Sequence, residues 1–198
     1  MKTLILDSSF LYLVIAIADD NGKLVFNHQL DLPKQQSEFI FVEIVSALEE
    51  TGYSINDLDR IVITRGPGSY TGTRIAMTIA KVLVTLLPSI SLYTVSTLQA
   101  IAGLQSGFAF IDARSKRVYG ASIDNGRIIS EKIYQFDDLS DIDDELFGQL
   151  SLLGKADKFG NLAQNILDLQ SFWVKVDQID SLVPAYLKEN AEYGSSTN

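Results

Sequence analysis

One short pattern of segments occurs twice in this chain of 198 residues. Residues 4–25 contain LILDSS followed by YLVIAIADDNGKLV, and residues 109–129 contain AFIDAR followed by RVYGASIDNGRII. Each copy predicts an apolar strand that ends in an aspartate, then two strands joined at an Asn-Gly turn whose two residues both take positive φ. The aspartates lie 105 residues apart and the turns 104 residues apart. The repeat therefore predicts two similar lobes, with coincidence between common Asn-Gly turns as the alternative.

Strands and helices alternate around these segments. The second strand of the first copy is apolar at every position, which is typical of a strand covered on both faces. Helices are predicted at residues 37–50 and 73–87, with a buried strand at 60–64 between them. We expect an α/β protein with a first lobe over residues 1–104 and a shorter second lobe over residues 105–198. The C-terminal segment of the second lobe is expected to pack back on the first.

The charge balance and the residue types exclude several classes of function. Asp and Glu total 25 against 16 Lys and Arg, so the net charge of −9 predicts a surface that repels nucleic acid. There is no cysteine, which excludes a thiol nucleophile and a Cys-based metal site. His28 is the only histidine, whereas a catalytic zinc or iron centre generally needs two or more imidazoles. We therefore expect neither a transition-metal site nor direct contact with most of a nucleic acid, whereas an Mg²⁺ site made of oxygen ligands stays open.

The N-terminal residues predict neither export nor membrane insertion. The first apolar stretch of the chain is interrupted at Asp7, before it reaches the length of a signal peptide or a membrane anchor. The lack of cysteine suits a reducing compartment. A cytoplasmic location is the expectation.

A glycine-rich loop precedes the helix at 73–87. It reads GPGSYTG over residues 66–72, and free amides at a helix N-terminus bind anions. It lacks the Gly-Lys-Ser/Thr of a Walker A loop, and its spacing does not match the dinucleotide fingerprint. Asp7 and Asp112, at equivalent strand ends, could face one cleft and hold Mg²⁺ with a nucleotide. The alternatives are a turn that needs glycine for close packing and aspartates that accept bonds from their own loops. The candidate nucleotide-binding residues are Asp7, Ser8, Gly66, Gly68 and Ser69.

The helix at 73–87 carries more apolar surface than one sheet can cover. Its apolar arc is roughly 220°, whereas a helix on a sheet needs somewhat over 100°. The helix at 37–50 shows a similar excess on its otherwise polar side. Another segment of this chain could cover this surface, but we expect a protein partner. The candidate partner-binding residues are Phe39, Val42, Ala76, Met77, Ala80, Val84 and Leu87.

Several short motifs occur together in one order. They are Asp7-Ser8-Ser9, Gln36-Ser37-Glu38, the run from Gly66 to Ile75, Val95-Ser96-Thr97-Leu98, Asp112-Ala113-Arg114 and, near the end, Val183-Pro184-Ala185-Tyr186-Leu187-Lys188. The set resembles the TsaB (YeaZ) family. The glycine segment, with the following Arg74 and Lys81, is the most specific part of the resemblance.

The resemblance implies a duplicated actin-like ATPase-domain fold (ASKHA, RNase H-like). It also implies a role in making N6-threonylcarbamoyladenosine in tRNA as a subunit without catalytic residues or a metal of its own. Such a subunit dimerises through the two helices of its first lobe with a catalytic paralogue, TsaD, and works with the ATPase TsaE. It contacts tRNA indirectly and is expected to form a homodimer when alone.

Two points about nucleotides stay open: whether this chain binds one, and whether it uses one as an enzyme. No cofactor is expected beyond weak binding of ATP or ADP with Mg²⁺ at a subunit interface. The alternative is an active actin-fold ATP-dependent phosphotransferase that uses Asp7 and the glycine loop.

Overall fold

The chain forms two β-sheets and their covering helices, and the computed structural model describes residues 1–32 and 34–187. The strands are β1 Thr3–Asp7, β2 Tyr12–Ala18, β3 Leu24–Asp31, β4 Arg60–Thr64, β5 Ser91–Val95, β6 Gly107–Arg114, β7 Arg117–Asp124, β8 Arg127–Gln135, β9 Leu146–Gly148 and β10 Val174–Lys175. The α-helices are α1 Gln36–Thr51, α2 Tyr70–Leu86, α3 Thr97–Ala102 and α4 Leu162–Asp168. The expected α/β class is confirmed.

The four strands of the second sheet have the same order as the first four strands of the chain have in the first sheet, which is the structural form of the sequence repeat. The first sheet has the order β10-β5-β4-β1-β2-β3, and the second has the order β8-β7-β6-β9. In each lobe the first strand pairs antiparallel with the second, the second pairs antiparallel with the third, and the first pairs parallel with the fourth. The duplication therefore extends from sequence to topology, and the expected two-lobed, actin-like fold is confirmed.

The two Asn-Gly turns differ in detail. In the β7–β8 turn, Asn125 and Gly126 both have positive φ, 49° and 78°, as expected. In the β2–β3 turn Gly22 has a φ of 75°, whereas Asn21 does not have a positive φ, so that expectation was wrong. The reason is Asp19, whose carboxylate accepts the amide hydrogen of Asn21 at 2.9 Å and stabilises a different loop.

The central strands of the first sheet, β1, β2 and β4, are buried on both faces, as the sequence of β2 predicts. Leu13 and Ile15 pack toward α1 and α2, whereas Val14 and Ala16 face a second cluster that includes α3, α4 and the second sheet. All four side chains are fully buried. Because this second cluster contains residues from both sheets, the two lobes share one continuous apolar core.

The helices of the first lobe begin earlier than predicted. Helix α1 begins at Gln36, and no side chain caps its first turn, so Ser37 lies inside the helix. Helix α2 begins at Tyr70, three residues before the expected start, because the hydroxyl of Ser69 accepts the amide hydrogen of Gly72 at 3.2 Å. The end of the glycine-rich segment is thus the first turn of α2.

The C-terminal segment returns to the first lobe. β10 pairs antiparallel with β5, and the amide of Val176 donates to the carbonyl of Leu92 at 2.9 Å. Ile179 and Leu182 then pack against the core beneath α1 and α2. We name residues 176–187 the C-terminal strap.

Candidate functional site

The glycine-rich loop is pressed against the loop that follows β1. A Cβ atom on Gly68 would lie 2.2 Å from the carbonyl oxygen of Ser9, and one on Gly72 would lie 2.1 Å from that of Ser8. The amide of Ser69 donates to Ser9 O at 2.6 Å, and the hydroxyl of Ser8 donates to Gly72 O at 2.7 Å. The geometry therefore favours the close-packing interpretation of these two glycines over the phosphate cradle.

Asp7 lies beneath this contact and is fully buried. Its Oδ1 accepts hydrogen bonds from the amide of Ser9 at 2.8 Å and from the hydroxyl of Thr64 at 2.5 Å. Its Oδ2 is also buried and has no hydrogen-bond partner among the described residues. Burial raises the pKa of Asp7 above its ordinary value, although the bonds to Thr64 and Ser9 oppose the rise. A carboxyl in this setting supports the loop rather than presenting a negative charge to a ligand.

A cleft of about 740 Å³ lies between the two lobes. One wall is the start of α2, and the other includes Asp112 and Arg114 at the end of β6. Lys34 and Tyr186 also line the cleft. Its size and mixed charge suit a small polar molecule.

The structure separates the residues predicted to bind a nucleotide. Gly68 and Ser69 line the cleft, whereas Asp7 and Ser8 are buried behind it and are absent from its lining. Gly66 does not line the cleft; a Cβ atom there would lie 3.2 Å from the carbonyl oxygen of Ala185 on the C-terminal strap. Of the five candidate nucleotide-binding residues, the structure brings only Gly68 and Ser69 to the cleft, because the backbone contact between the two loops closes over the strand end.

The two equivalent aspartates have different surroundings. Asp112 is exposed, lines the cleft and accepts the amide hydrogen of Arg114 at 2.7 Å, whereas Asp7 is buried. Each aspartate thus accepts a backbone hydrogen bond from its own loop, as the alternative to a shared Mg²⁺ site predicts. They do not present two carboxylates to one cleft.

Neither a metal cluster nor a membrane span is found in the described parts of the chain. Across residues 1–32 and 34–187, no three His, Asp or Glu side chains come together as a metal-binding group. His28 lies on β3, where its Nδ1 is 2.7 Å from Oε2 of Glu43 on α1. No helix within those same ranges is long and apolar enough to cross a bilayer.

An apolar groove of about 490 Å³ runs between the outer faces of α1 and α2. Its lining includes Phe41 of α1 and Ile75, Val82 and Leu83 of α2. The side chains of Phe41, Val42, Val82 and Leu86, in or beside the groove, are each more than half exposed. Contiguous apolar surface of this kind marks an interaction site on a folded protein.

The predicted partner-binding face of α2 was the wrong face. Ala76, Met77, Ala80 and Val84 are buried in the core of their own lobe, and Leu87 is partly buried against the same cluster. The outer face instead carries Val82 and Leu86, which are 51% and 70% exposed. The physical reason is that small alanines allow α2 to lie close to the sheet. Phe39 and Val42 of α1 are exposed, as expected.

Sequence reasoning also missed residues from distant parts of the chain. Phe41 and Val82 were not among the candidate partner-binding residues, although both line the groove. Tyr186 was noted only as part of a motif, yet it lies beside Tyr70 with ring centroids 5.7 Å apart. No local signal connects residues so far apart in sequence.

Comparison with known proteins gives matches in sequence. A family model described as TsaD, tRNA N6-adenosine threonylcarbamoyltransferase, matches residues 32–158. The tRNA threonylcarbamoyladenosine biosynthesis protein TsaB of Bacillus subtilis is 33% identical over 124 residues, which is 60% of this chain and 53% of the relative. The Escherichia coli protein of the same name is 31% identical over 128 residues, which is 61% of this chain and 54% of the relative. The chain thus spans about half the length of these two relatives.

Solved structures match over nearly the whole chain. YeaZ from Pseudomonas aeruginosa has a TM-score of 0.72 at 20% identity, covering 94% of this chain and 99% of its own. A second Pseudomonas aeruginosa structure, described as similar to peptidase YEAZ, has a TM-score of 0.73 with the same identity and coverage. At this identity the likeness establishes the shared fold.

Proposed function

Because this chain belongs to the family described as TsaD, tRNA N6-adenosine threonylcarbamoyltransferase, we propose that it takes part in the biosynthesis of threonylcarbamoyladenosine in tRNA. The similarity to two proteins named TsaB supports this role. The chain acts as a TsaB-type subunit that leaves the transfer reaction to a TsaD partner and works with a TsaE-type ATPase. With a net charge of −9, it leaves most of the contact with tRNA to those partners.

The absence of a catalytic role is part of the proposal, and the buried strand end supports it. Asp7 is buried beneath the glycine-rich loop, and the carbonyl groups of Ser9 and Ser8 lie where a Cβ on Gly68 or Gly72 would stand, so the backbones of the two loops are in direct contact. These residues do not fit a tightly held nucleotide with Mg²⁺. Weak binding of ATP or ADP in the inter-lobe cleft, near Ser69 and Arg114, is the most that this geometry supports.

The observation that carries the proposal is the exposed apolar groove between α1 and α2. Fully burying an exposed Phe or Val side chain contributes about 1.5–3 kcal/mol. Because Phe41 and Val82 in the groove are each more than half exposed, a partner that covers them gains a large part of that free energy. We propose that the groove binds TsaD and that, without TsaD, the same face joins two copies of this chain.

The test is the mass of the complex, measured by light scattering on a sizing column. We expect a one-to-one complex of this chain with the TsaD protein of the same cell, and its loss in Val82→Glu, which places a charge in the groove. Thr85→Glu is the matched control, because Thr85 is exposed on the same helix and is not part of the groove lining. Melting temperatures of both variants establish that they remain folded.

Two outcomes would contradict the proposal. If Val82→Glu forms the complex as well as Thr85→Glu does, the groove is not the docking surface. If the unmodified chain forms no complex and hydrolyses ATP alone, the phosphotransferase alternative replaces the subunit role.

A further inference from the structure

The C-terminal strap crosses the glycine-rich loop and runs along α2. The amide of Ala185 donates to the carbonyl of Arg65 at 2.8 Å, which ties the strap to the end of β4. Further back along the strap, the ammonium of Lys81 donates to the carbonyl of Asp180 at 3.3 Å. These contacts bring Tyr186 to the N-terminal end of α2.

Three contacts hold the side chain of Arg74 on that helix, two of them made by Tyr186 and one by Tyr70. Nε of Arg74 donates to the hydroxyl of Tyr186 at 2.9 Å. The guanidinium carbon of Arg74 lies 4.0 Å from the ring centroid of Tyr70 and 5.9 Å from that of Tyr186. An arginine held by two aromatic rings and a hydrogen bond has already lost much of its rotamer freedom, so less is lost when it binds a further group.

Arg74 is also unusual in its position. Among the described residues that line the α1–α2 groove, Arg74 alone carries a charge, and the remainder are apolar or neutral polar residues. Its side chain is exposed, so it is available to a molecule seated in the groove. A single ordered guanidinium at the end of an apolar groove is complementary to an apolar helix with one carboxylate, which it can bind through two parallel hydrogen bonds.

We infer that Arg74 is the specificity-determining residue of this groove, that it pairs with a carboxylate on the docking helix of the partner, and that Tyr186 is its positioning residue. This inference rests on the proposed function, in which TsaD occupies the groove. It gives the C-terminal strap a role in partner selection. The apolar residues supply most of the affinity, and the oriented Arg74 selects for a partner with an acidic residue at that point.

The experiment measures the dissociation constant for TsaD by titration calorimetry at about 50 mM and about 300 mM salt, where screening differs strongly. Arg74→Gln is expected to weaken binding by at least about tenfold at low salt and to reduce the salt dependence. Tyr186→Phe keeps the ring but removes the acceptor for Arg74, and is expected to weaken binding by about threefold. Arg127→Gln, at the exposed start of β8, is the control and is expected to bind as the unmodified chain does.

A double variant separates positioning from direct contact. If Tyr186 acts through Arg74, Arg74→Gln with Tyr186→Phe binds no more weakly than Arg74→Gln alone. Additive losses would show that Tyr186 contacts the partner itself and would overturn its positioning role. Melting temperatures close to that of the unmodified chain are expected, because both side chains are exposed.

The outcomes distinguish this inference from the proposed function. If Val82→Glu abolishes the complex while Arg74→Gln leaves the dissociation constant unchanged at both salt concentrations, the groove binds TsaD without a selecting charge and the inference is wrong. If Arg74→Gln weakens only the self-association of this chain, the carboxylate belongs to a second copy, which also overturns the inference. If Val82→Glu has no effect, the failure lies with the proposed function.

Discussion

Replacing Gly72 with alanine tests whether the glycine-rich loop serves packing or a ligand. The added Cβ would lie 2.1 Å from the carbonyl oxygen of Ser8 and 3.2 Å from Cβ of Ser69. Because the closer atom belongs to the backbone, no side-chain rotation can relieve the contact. The loop that follows β1 would have to move away from α2.

The size of the effect follows from three contributions. Overpacking costs about 1–3 kcal/mol. Displacing Ser8 weakens two hydrogen bonds of its hydroxyl group. The hydroxyl donates to the carbonyl of Gly72 at 2.7 Å and accepts from the amide of Ala76 at 3.2 Å. The loss of each bond costs about 1 kcal/mol. Alanine stabilises a helix by about 1 kcal/mol relative to glycine, which opposes these losses. Gly72→Ala should therefore lower the free energy of unfolding by about 2–4 kcal/mol.

The assay is urea unfolding followed by the fluorescence of Trp173, the only tryptophan of the chain, whose indole N–H donates to Ile166 O at 2.8 Å. Gly154→Ala is the control, because Gly154 has a φ of 71° with open space around it. That variant should lose only about 1–2 kcal/mol from its backbone conformation. If the free energy of unfolding of Gly72→Ala lies within about 0.5 kcal/mol of that of the unmodified chain, the loops are not packed as described.

Two further substitutions test the core and the buried carboxyl. Ala80→Arg should lower the free energy of unfolding by more than about 3 kcal/mol, because Ala80 is fully buried on the inner face of α2. A melting temperature equal to that of the unmodified chain would contradict the assigned face. Burial raises the pKa of Asp7 above its ordinary value of 3.8, so the folded chain binds more protons than the unfolded chain between that value and the raised pKa. The stability contributed by protonated Asp7 is therefore present below pH 3.8 and is lost as pH rises through the raised pKa. Asp7→Asn should remove this decline, as measured by unfolding across a pH series; an unchanged slope would show that Asp7 does not titrate as described.

The sequence determined those features that depend on local patterns. The continuous apolar run of β2, the Asn-Gly turn at Asn125 and the equivalent aspartates predicted a duplicated α/β fold, because strand composition and turn chemistry involve only neighbouring residues. The excess apolar surface of α1 and α2 was also visible, since a helix exposes its periodicity in its own sequence.

Only the tertiary structure decided which face of each helix is buried and which distant residues are in contact. Because α2 is apolar on both sides, its periodicity could not show that Ala80 faces the sheet and Val82 faces outward; the fit of small residues against the strands decides that. The burial of Asp7 depends on contacts with Thr64, 57 positions away. The pairing of Arg74 with Tyr186 joins residues 112 positions apart. Long-range contacts of this kind arise from the path of the folded chain, and no local pattern encodes them.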